Sequence, residues 1–397
     1  MSGLSGYLRN DGRKGIRNHI VVAYLVECAH HVAREIAWPY RDHAHVIGFP
    51  GCFPNVYAQK MMERLCTHPN VGAVLLVSLG CESFNRFALE QVVRDSGRPV
   101  ETLVIQNDGG TLASINKGQT WIEETLVETE KMARVPMDIN ELVVGTVCGG
   151  SDGTSGISGN PAAGRAFDRL VKDGAACIFE ETGELIGCEE IMAARAATPE
   201  LADELRASVT KAAQYYATLG FGSFAAGNAE GGLTTIEEKS MGAYAKSGAS
   251  EISGLIKPGD VPPRGGLYLM DVVPDGEVRF GFPNITDNAE IVEMMASGAH
   301  LTLFVTGRGS VVGSALAPVV KIAANPHMYQ RLSDDMDINA GKIINGGSSI
   351  DDVGTEIYDL VLSAAAGTKT KSEALGHAEF ILTYKSFEPI GPACLPA

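Results

Sequence analysis

The sequence predicts an α/β protein with mostly parallel sheets, flanking helices and two domains. Short apolar segments rich in β-branched residues alternate with segments of helical periodicity along the chain. With 397 residues, the chain is long enough to bury a large core and to form two domains. A Val135-Pro136-Met137-Asp138 turn interrupts the alternation. We therefore expect an N-terminal domain over residues 1–135 and a C-terminal domain over residues 136–397.

The predicted elements follow one another from the N-terminus. Strands are predicted at residues 19–26, 46–49, 71–79, 100–106, 142–147, 176–179, 267–272 and 301–305. Helices are predicted at residues 32–37, 57–66, 119–134, 160–173, 187–196, 200–219 and 291–297. In the helix at 119–134, acidic residues come early and basic residues late, which suits the helix dipole. The last hundred residues carry no further clear motif.

Charge and composition exclude several classes of function. The net charge of −16 argues against nucleic acid or an anionic membrane as a partner. We expect no signal peptide in the polar residues 1–17, and no run of about 18 apolar residues indicates a membrane span. The eight cysteines are too scattered for a disulfide scaffold. These features predict a cytoplasmic protein with free thiols, some of them candidates for metal binding.

The most unusual segment is the loop at residues 145–164. An apolar strand ends at Cys148, and two glycines, Ser151-Asp152 and further glycines follow before Asn160-Pro161. So glycine-rich a segment builds no core, but it brings backbone amides, a thiol and a carboxylate to one place. We expect Ser151 and Asp152 to contact a substrate. The alternative is a long surface turn with a buried cysteine.

Four cysteines each follow a predicted strand and lie in a turn: Cys28, Cys52, Cys81 and Cys148. Because the carboxyl ends of parallel strands lie on one side of a sheet, these four could converge on a metal. Thiolates select iron, zinc or an iron–sulfur cluster over magnesium. His31 and Glu82 are possible further ligands. The sequence has no CxxC pair, so the spacing is a weak signal, and four small residues chosen to fit tight turns remain the alternative.

Several cations lie beside glycines or turns and are candidates for binding an anionic substrate. These candidates are Arg17 with the adjacent Asn18, Arg165, Lys239 and Arg308. Arginine suits bidentate recognition of carboxylates and related anions, although each residue taken singly is more often a surface or ion-pair residue. The chain has no Rossmann glycine motif after its first strand and no Walker sequence, which argues against a nucleotide.

The glycine-rich loop resembles the signature of the altronate/galactarate dehydratase family, and the resemblance extends along nearly the whole chain. Further family-like motifs are Gly6-Tyr7, Asp11-Gly12-Arg13, Gly15-Ile16-Arg17-Asn18, His68-Pro69-Asn70, Leu79-Gly80-Cys81-Glu82, Gln106 with Gly109-Gly110-Thr111, Glu181-Thr182, Gly231-Gly232-Leu233-Thr234-Thr235-Ile236 with Glu238-Lys239-Ser240, Thr306-Gly307-Arg308-Gly309-Ser310 and Asp335-Met336-Asp337-Ile338-Asn339-Ala340-Gly341. The four cysteines named above stand where the family pattern carries cysteine. The resemblance therefore implies iron, either as mononuclear Fe²⁺ or as an iron–sulfur cluster.

Two departures from the sugar-acid dehydratases point to one branch of the family. The chain begins at the Gly-Tyr motif without a small N-terminal domain, and it reads Glu379-Phe380-Ile381-Leu382-Thr383 where the dehydratases have an ending like Glu-Phe-x-Pro-Trp. Both departures resemble the sulfolactate sulfo-lyases, in which the small domain is a separate subunit. The resemblance thus implies a small partner subunit and an oligomer.

The implied reaction is a β-elimination from a 2-hydroxy acid. A base removes the proton α to a carboxylate, a metal or an arginine stabilises the ene-diolate, and a group leaves from the β carbon. We expect (2R)-sulfolactate to give pyruvate and sulfite, with Lys239 and His31 as candidates for proton transfer. A sugar-acid dehydratase is the alternative within this class. A non-catalytic iron- or anion-binding subunit is the alternative from another class.

Overall fold

The computed structural model describes residues 3–180, 182–219, 226–276, 286–382 and 384–385. Of the motif residues named above, Glu181 and Thr383 lie outside the described residues. The fold is α/β, with parallel sheets and flanking helices, as the sequence predicts. Among the described residues, no helix is both long and apolar enough to cross a membrane.

The N-terminal half is built around a four-stranded parallel sheet. Its elements are β1 (Ser5–Leu8), β2 (Lys14–Gly15), β3 (His19–Tyr24), α1 (Glu27–Ala37), β4 (Ala44–Gly48), α2 (Val56–Cys66), β5 (Val71–Ser78), α3 (Arg86–Asp95), β6 (Val100–Val104), α4 (Thr111–Thr129) and β7 (Arg134–Pro136). The sheet has the order β4-β3-β5-β6. Every residue of β5 is buried, which explains its unbroken apolar sequence. β1 pairs antiparallel with β2 and β7 in a separate small sheet.

The C-terminal half contains a larger parallel sheet, of seven strands in the described residues. Its elements are β8 (Val143–Cys148), α5 (Asn160–Lys172), β9 (Ala176–Phe179), α6 (Glu189–Ala193), α7 (Pro199–Leu219), α8 (Ala226–Glu230), α9 (Ile236–Tyr244), β10 (Ile252–Ile256), β11 (Gly266–Met270), α10 (Asp287–Ala296), β12 (Leu301–Thr306), β13 (Val319–Ala323), α11 (Pro326–Arg331), β14 (Ile338–Asn339), α12 (Ile350–Ala365) and α13 (Lys371–Leu375). The order is β10-β11-β9-β8-β12-β13-β14.

The strand order places a crevice at the carboxyl end of β8. From β8 the chain continues to β9 on one side, and β12, β13 and β14 extend the sheet on the other side. In open α/β sheets, ligands bind at such a reversal of strand order, beyond the carboxyl ends of the strands. Cys148 is the last residue of β8 and pairs in register with Val305 of β12. The smaller sheet has the same kind of reversal between β3 and β5.

The two parallel sheets share a hydrophobic core. Ile47 and Phe49 of the smaller sheet pack in the same buried cluster as Tyr268 and Phe304 of the larger sheet. Helix α10 lies at this junction, where the Tyr57 hydroxyl of α2 donates a 2.6 Å hydrogen bond to a Glu293 carboxylate oxygen of α10. The packing therefore fixes the position of α10 against both halves of the chain.

One helix begins and ends well before its predicted range. The helix predicted at residues 119–134 is Thr111–Thr129, because Gly110 takes a φ of 86° that starts the helix earlier. Arg134 instead lies in β7. The division of the chain into domains at residue 135 stays a prediction.

The last hundred residues, for which no clear motif was predicted, contain α12. Ser349 and Asp352 start this helix with a capping box. Gly354 lets α12 approach α5 closely, because a Cβ there would lie 2.5 Å from the Arg165 Cβ.

Candidate active site

Two buried lysines converge on Cys148 at the end of β8. The ammonium groups of Lys239 and Lys246 donate to the Cys148 sulfur over 3.5 and 3.4 Å. Lys239 lies on α9, and Lys246 lies in a 3₁₀ turn, Ala245–Ser247, that continues this helix. Both side chains are almost completely shielded from solvent. Since a buried ammonium is costly without negative partners, the arrangement indicates a site built for anionic chemistry.

Glu184 contacts both Cys148 and Lys239. It lies in the 3₁₀ turn Thr182–Leu185 and forms an ion pair with Lys239. Its carboxylate is 3.7 Å from the Cys148 sulfur. Burial alone would lower the pKa of Lys239, but the neighbouring Cys148 and Glu184 outweigh this effect and raise its pKa above the ordinary value. Lys239 is therefore a stable cation in this geometry.

A set of buried carboxyl groups adjoins the lysines. Asp287, the first residue of α10, lies against Gly149, where a Cβ would come within 1.8 Å of its Oδ2 atom. Burial and the charge of Glu184 raise the pKa of Asp287 to about 6. Burial and the charge of Asp287 raise the pKa of Glu290 to about 8. Glu180 is fully buried, neither of its carboxyl oxygens has a hydrogen-bond partner in the described part of the chain, and its pKa is raised strongly by burial and by Glu290.

These carboxyl groups differ in their protonation state near neutral pH. With a pKa of about 6, Asp287 is mostly ionised at pH 7 and is poised to accept a proton. With a pKa of about 8, Glu290 is mostly protonated at the same pH. Titratable groups whose environments separate their pKa values are typical of acid–base sites.

Ser151 and Asp152 follow Cys148 in the glycine-rich loop, and their contact with a substrate stays a prediction. The Ser151 hydroxyl is 3.7 Å from the Cys148 sulfur. Asp152 is held in place, because one carboxylate oxygen accepts from the Thr154 amide at 2.8 Å and the other accepts from the Asn325 side chain at 3.1 Å. A cavity of about 400 Å³ opens here and is lined by Ser151, Asp152 and Lys239 among others. Its size suits a small organic acid.

Arg308 adjoins the same loop from the end of β12. Its backbone amide donates to the Gly150 carbonyl at 2.8 Å, which ties the two strand ends together. Its guanidinium is partly exposed, donates to the Gly227 carbonyl and lies 3.3 Å from Glu230. The structure thus brings Arg308 next to the Cys148 loop, with its side chain directed to α8.

Arg17, Asn18 and Arg165 have structural partners away from Cys148. Arg17 forms a two-point ion pair with Glu373 at 2.6 and 2.9 Å. Asn18 accepts from Arg9 at 2.8 Å and donates to the Thr129 carbonyl. Arg165 is half exposed and pairs at 3.1 Å with Asp351 of α12. Their assignment to substrate binding stays a prediction.

Arg17 and Asn18 line a second, larger cavity of about 730 Å³ between α1, α4 and the segment around α13. This cavity lies near the amino ends of β3 and β4, at the opposite end from the strand termini that carry Cys28 and Cys52. The smaller cavity is the better candidate for catalysis, because Lys239 lines it and also contacts the buried Cys148 at a reversal of strand order.

His31 lies apart from the Cys148 site. It is an exposed residue of α1, and its Nδ1 atom is 3.3 Å from the Arg34 guanidinium. In the described part of the chain, it has no contact with Cys148 or with Lys239, Lys246 and Glu184, which contact that thiol. Its role in proton transfer stays a prediction.

The other three predicted metal ligands follow strands of the smaller sheet. Cys28 follows β3, Cys52 follows β4 and Cys81 follows β5, and all three thiols are exposed. The Ser83 amide donates to the Cys52 carbonyl at 2.8 Å, so the last two loops touch. Cys148, in contrast, is buried beside Lys239 and Lys246 at the carboxyl end of β8, a central strand of the larger sheet.

The chemistry of these donors suits iron, because thiolates are soft ligands. Their arrangement does not yet form a binding set: within the described residues, no group of three or more His, Cys, Asp or Glu side chains is placed to hold a metal ion. The four-cysteine iron site therefore stays a prediction, and no chemical step is assigned to iron below.

The sequence analysis missed Glu180, Glu184, Lys246, Asp287 and Glu290. Two signals were available. Lys246 follows Lys239 by seven residues, which places both on one face of a continuous helix. Asp287 and Glu290 are three residues apart and share a helix face in the same way. The contribution of Glu184 had no local signal, because it depends on the packing of a short turn against α9.

Comparison with known proteins identifies the family. Residues 139–387 match the model of the C-terminal domain of D-galactarate/altronate dehydratases, and residues 6–130 match the model of the second domain of D-galactarate dehydratase/altronate hydrolase. The (2R)-sulfolactate sulfo-lyase subunit beta of Chromohalobacter salexigens is 31% identical over 95% of this chain and 96% of that protein.

Two further relatives belong to the sugar-acid branch. The altronate dehydratase of Escherichia coli is 27% identical over 92% of this chain and 74% of that protein. The galactarate dehydratase (L-threo-forming) of the same organism is 32% identical over 78% of this chain and 59% of that protein. The chain therefore belongs to the D-galactarate/altronate dehydratase family and is an enzyme of the lyase and dehydratase type.

Proposed function

We propose that the protein catalyses β-elimination from a small 2-hydroxy acid at the Cys148 site. The observation that carries this proposal is the convergence of Lys239 and Lys246 on the buried Cys148 sulfur, with Asp287 against the adjacent Gly149. Lys239 also lines a cavity of about 400 Å³. An α-proton next to a carboxylate is very weakly acidic, so the site must stabilise the ene-diolate that forms. Two buried ammonium groups supply that stabilisation.

We assign the residues the following roles. Lys239 and Lys246 hold the substrate carboxylate and the charge that develops on it. Asp287 accepts the α-proton, because it is ionised at neutral pH and its raised pKa makes it a better base than an ordinary aspartate. Lys239, which the sequence suggested for proton transfer, carries a raised pKa and therefore serves as a cation in this proposal.

We further propose (2R)-sulfolactate as the substrate, with pyruvate and sulfite as products. A relative that carries this name is 31% identical over 95% of this chain and 96% of that protein. The proton leaves Cα, and the carbon–sulfur bond breaks with its electron pair on sulfite. The enol product then takes up a proton at its β carbon and loses its hydroxyl proton to become pyruvate. The name of that relative also supports a small partner subunit. Oligomeric assembly and a cytoplasmic location stay predictions.

The test is a substrate comparison with purified protein, with and without a candidate small subunit. We expect equal amounts of sulfite and pyruvate from (2R)-sulfolactate and no turnover of altronate or galactarate. Turnover of a sugar acid instead would support the dehydratase alternative, which the relatives named for altronate and galactarate favour. Failure with every 2-hydroxy acid, in the presence of the partner, would support a non-catalytic subunit.

A further inference from the structure

Glu293 is a buried junction between three parts of the chain. It is completely inaccessible to solvent and lies on α10. The Lys385 ammonium contacts both of its carboxylate oxygens at 2.8 Å, and the Tyr57 hydroxyl donates to one of them at 2.6 Å. Helix α10, helix α2 of the N-terminal half and the C-terminal segment therefore meet at one carboxylate. A fully buried pair of this kind is sensitive to the loss of either partner.

The same helix carries the candidate base. Asp287, Glu290 and Glu293 follow one another at intervals of three residues, so they lie along one side of α10. At one end of this row, Asp287 presses against Gly149 beside Cys148. At the other end, Glu293 holds Lys385. Any shift of α10 at the Lys385 end is carried to Asp287 by the rigid helix.

The C-terminal segment is anchored before it reaches Glu293. The Glu379 carboxylate accepts from the Gly313 amide at 2.7 Å. Leu382 is buried in the core shared by the two halves. The Tyr384 ring meets the Phe49 ring edge-on at 5.2 Å, and it lies so close to Gly51 that a Cβ there would clash with its hydroxyl. The segment thus delivers Lys385 to a defined position.

We propose that Lys385 is a positioning residue of the candidate active site, acting through Glu293 to hold α10 and its acidic row in register with Gly149. The proposal rests on the function proposed above, because it assumes that Asp287 acts in catalysis. Lys385 does not touch the cavity at Ser151 or the Cys148 sulfur. Its loss is therefore expected to lower kcat and to leave KM nearly unchanged.

The charges around Glu290 provide a readout that a purely structural role would not move. Glu290 is faced by Asp287 and Glu293 from its own helix, by Glu184, Glu180 and Tyr216 from neighbouring elements, and by Lys385 from the C-terminal segment. The Lys385 charge lowers the pKa of Glu290, whereas the Glu293 charge raises it. Removal of Lys385 alone therefore moves the Glu290 titration to higher pH, and removal of both charges moves it back.

The experiment compares Lys385→Met, Glu293→Gln, the double variant and the control Lys60→Met. Lys60 pairs with Asp260 at 2.7 Å and also joins α2 to the C-terminal half, but this pair is partly exposed. We expect kcat of Lys385→Met to be lower than that of the wild type by roughly 10²-fold, because a small misplacement of a catalytic group has an effect of this size. The titration midpoint of Glu290 should rise in this variant and return toward the wild-type position in the double variant. Lys60→Met should match the wild type.

An infrared titration separates this proposal from the proposed function. The protonated carboxyl band of Glu290 is assigned by its loss in Glu290→Gln, and its midpoint is followed against pH without substrate. A midpoint that rises in Lys385→Met supports the proposal even if no 2-hydroxy acid is turned over, a result that would sink only the proposed function. Unchanged kcat in Lys385→Met, an unmoved midpoint, or equal effects in Lys60→Met would each overturn the positioning role.

Discussion

Replacement of Lys239 by methionine removes one of the two cations that converge on Cys148. Methionine keeps an unbranched side chain of similar length, so the change is mainly one of charge. The variant leaves Glu184 without its ion-pair partner in a site where Lys239 is only 3% exposed. Breaking a buried pair by removing one partner costs about 3–5 kcal/mol of folding free energy, and the partial exposure of Glu184 places this case at the lower end.

The effect on catalysis follows from the role of the ammonium. If Lys239 stabilises the charge of the ene-diolate, its loss should lower kcat/KM by about 10²–10³-fold, the usual effect of removing one oxyanion donor. The assay is steady-state kinetics on whichever 2-hydroxy acid the wild type turns over, with chemical unfolding measured in parallel. Lys131→Met is the matched control, because within the described part of the chain Lys131 pairs with the exposed Glu128. Wild-type kcat/KM in a folded Lys239→Met protein would refute the assignment.

Three further predictions concern the same site and the thiols. Gly149→Ala should abolish most activity while the protein stays folded, because the new Cβ would meet Asp287 Oδ2 at 1.8 Å. Gly153→Ala in the same loop should be active, because its new Cβ would have no neighbouring atom nearer than 3.9 Å. Equal kinetics for the two variants would contradict the placement of Asp287. The folded-state pKa of Glu290 is raised to about 8, so the native state binds an extra proton from about pH 4.5 upward and the free energy of unfolding falls as the pH rises towards 8. Glu290→Gln should flatten this fall in unfolding experiments. An unchanged dependence of the free energy of unfolding on pH would contradict the raised pKa. Anaerobic metal analysis should find iron that is lost in Cys81→Ser and Cys52→Ser and retained in Cys66→Ser, a buried thiol of α2; iron that survives the first two changes would refute the thiol ligands.

The sequence pointed to those residues of the candidate site that lie in or beside a glycine-rich segment. The Cys148 loop was found because its glycines cannot build a core, and Lys239 was found because it follows a glycine-rich turn. Asp152 belongs to the same loop and is held by Asn325, and its contact with a substrate stays a prediction. The parallel sheets followed from the unbroken apolar runs, of which β5 is the clearest.

The residues that were missed depend on packing between distant segments. Lys246 and Glu184 reach Cys148 from 98 and 36 positions away in the chain. The partner of Arg17, Glu373, is separated from it by 356 positions, so the sequence could not show that this arginine is used in an ion pair. Cys28, Cys52 and Cys81 follow strands of the smaller sheet, whereas Cys148 ends a strand of the larger sheet. Their predicted convergence on a metal therefore depends on how the two sheets pack.

The most direct test of the account is a crystal structure of the Asp287→Asn variant with (2R)-sulfolactate or the sugar acid that the wild type turns over. The account predicts a substrate carboxylate within hydrogen-bond distance of Lys239 and Lys246, with its α carbon facing residue 287. A substrate bound in the cavity beside Arg17, or at Cys28, Cys52 and Cys81 with no contact to either lysine, would contradict it.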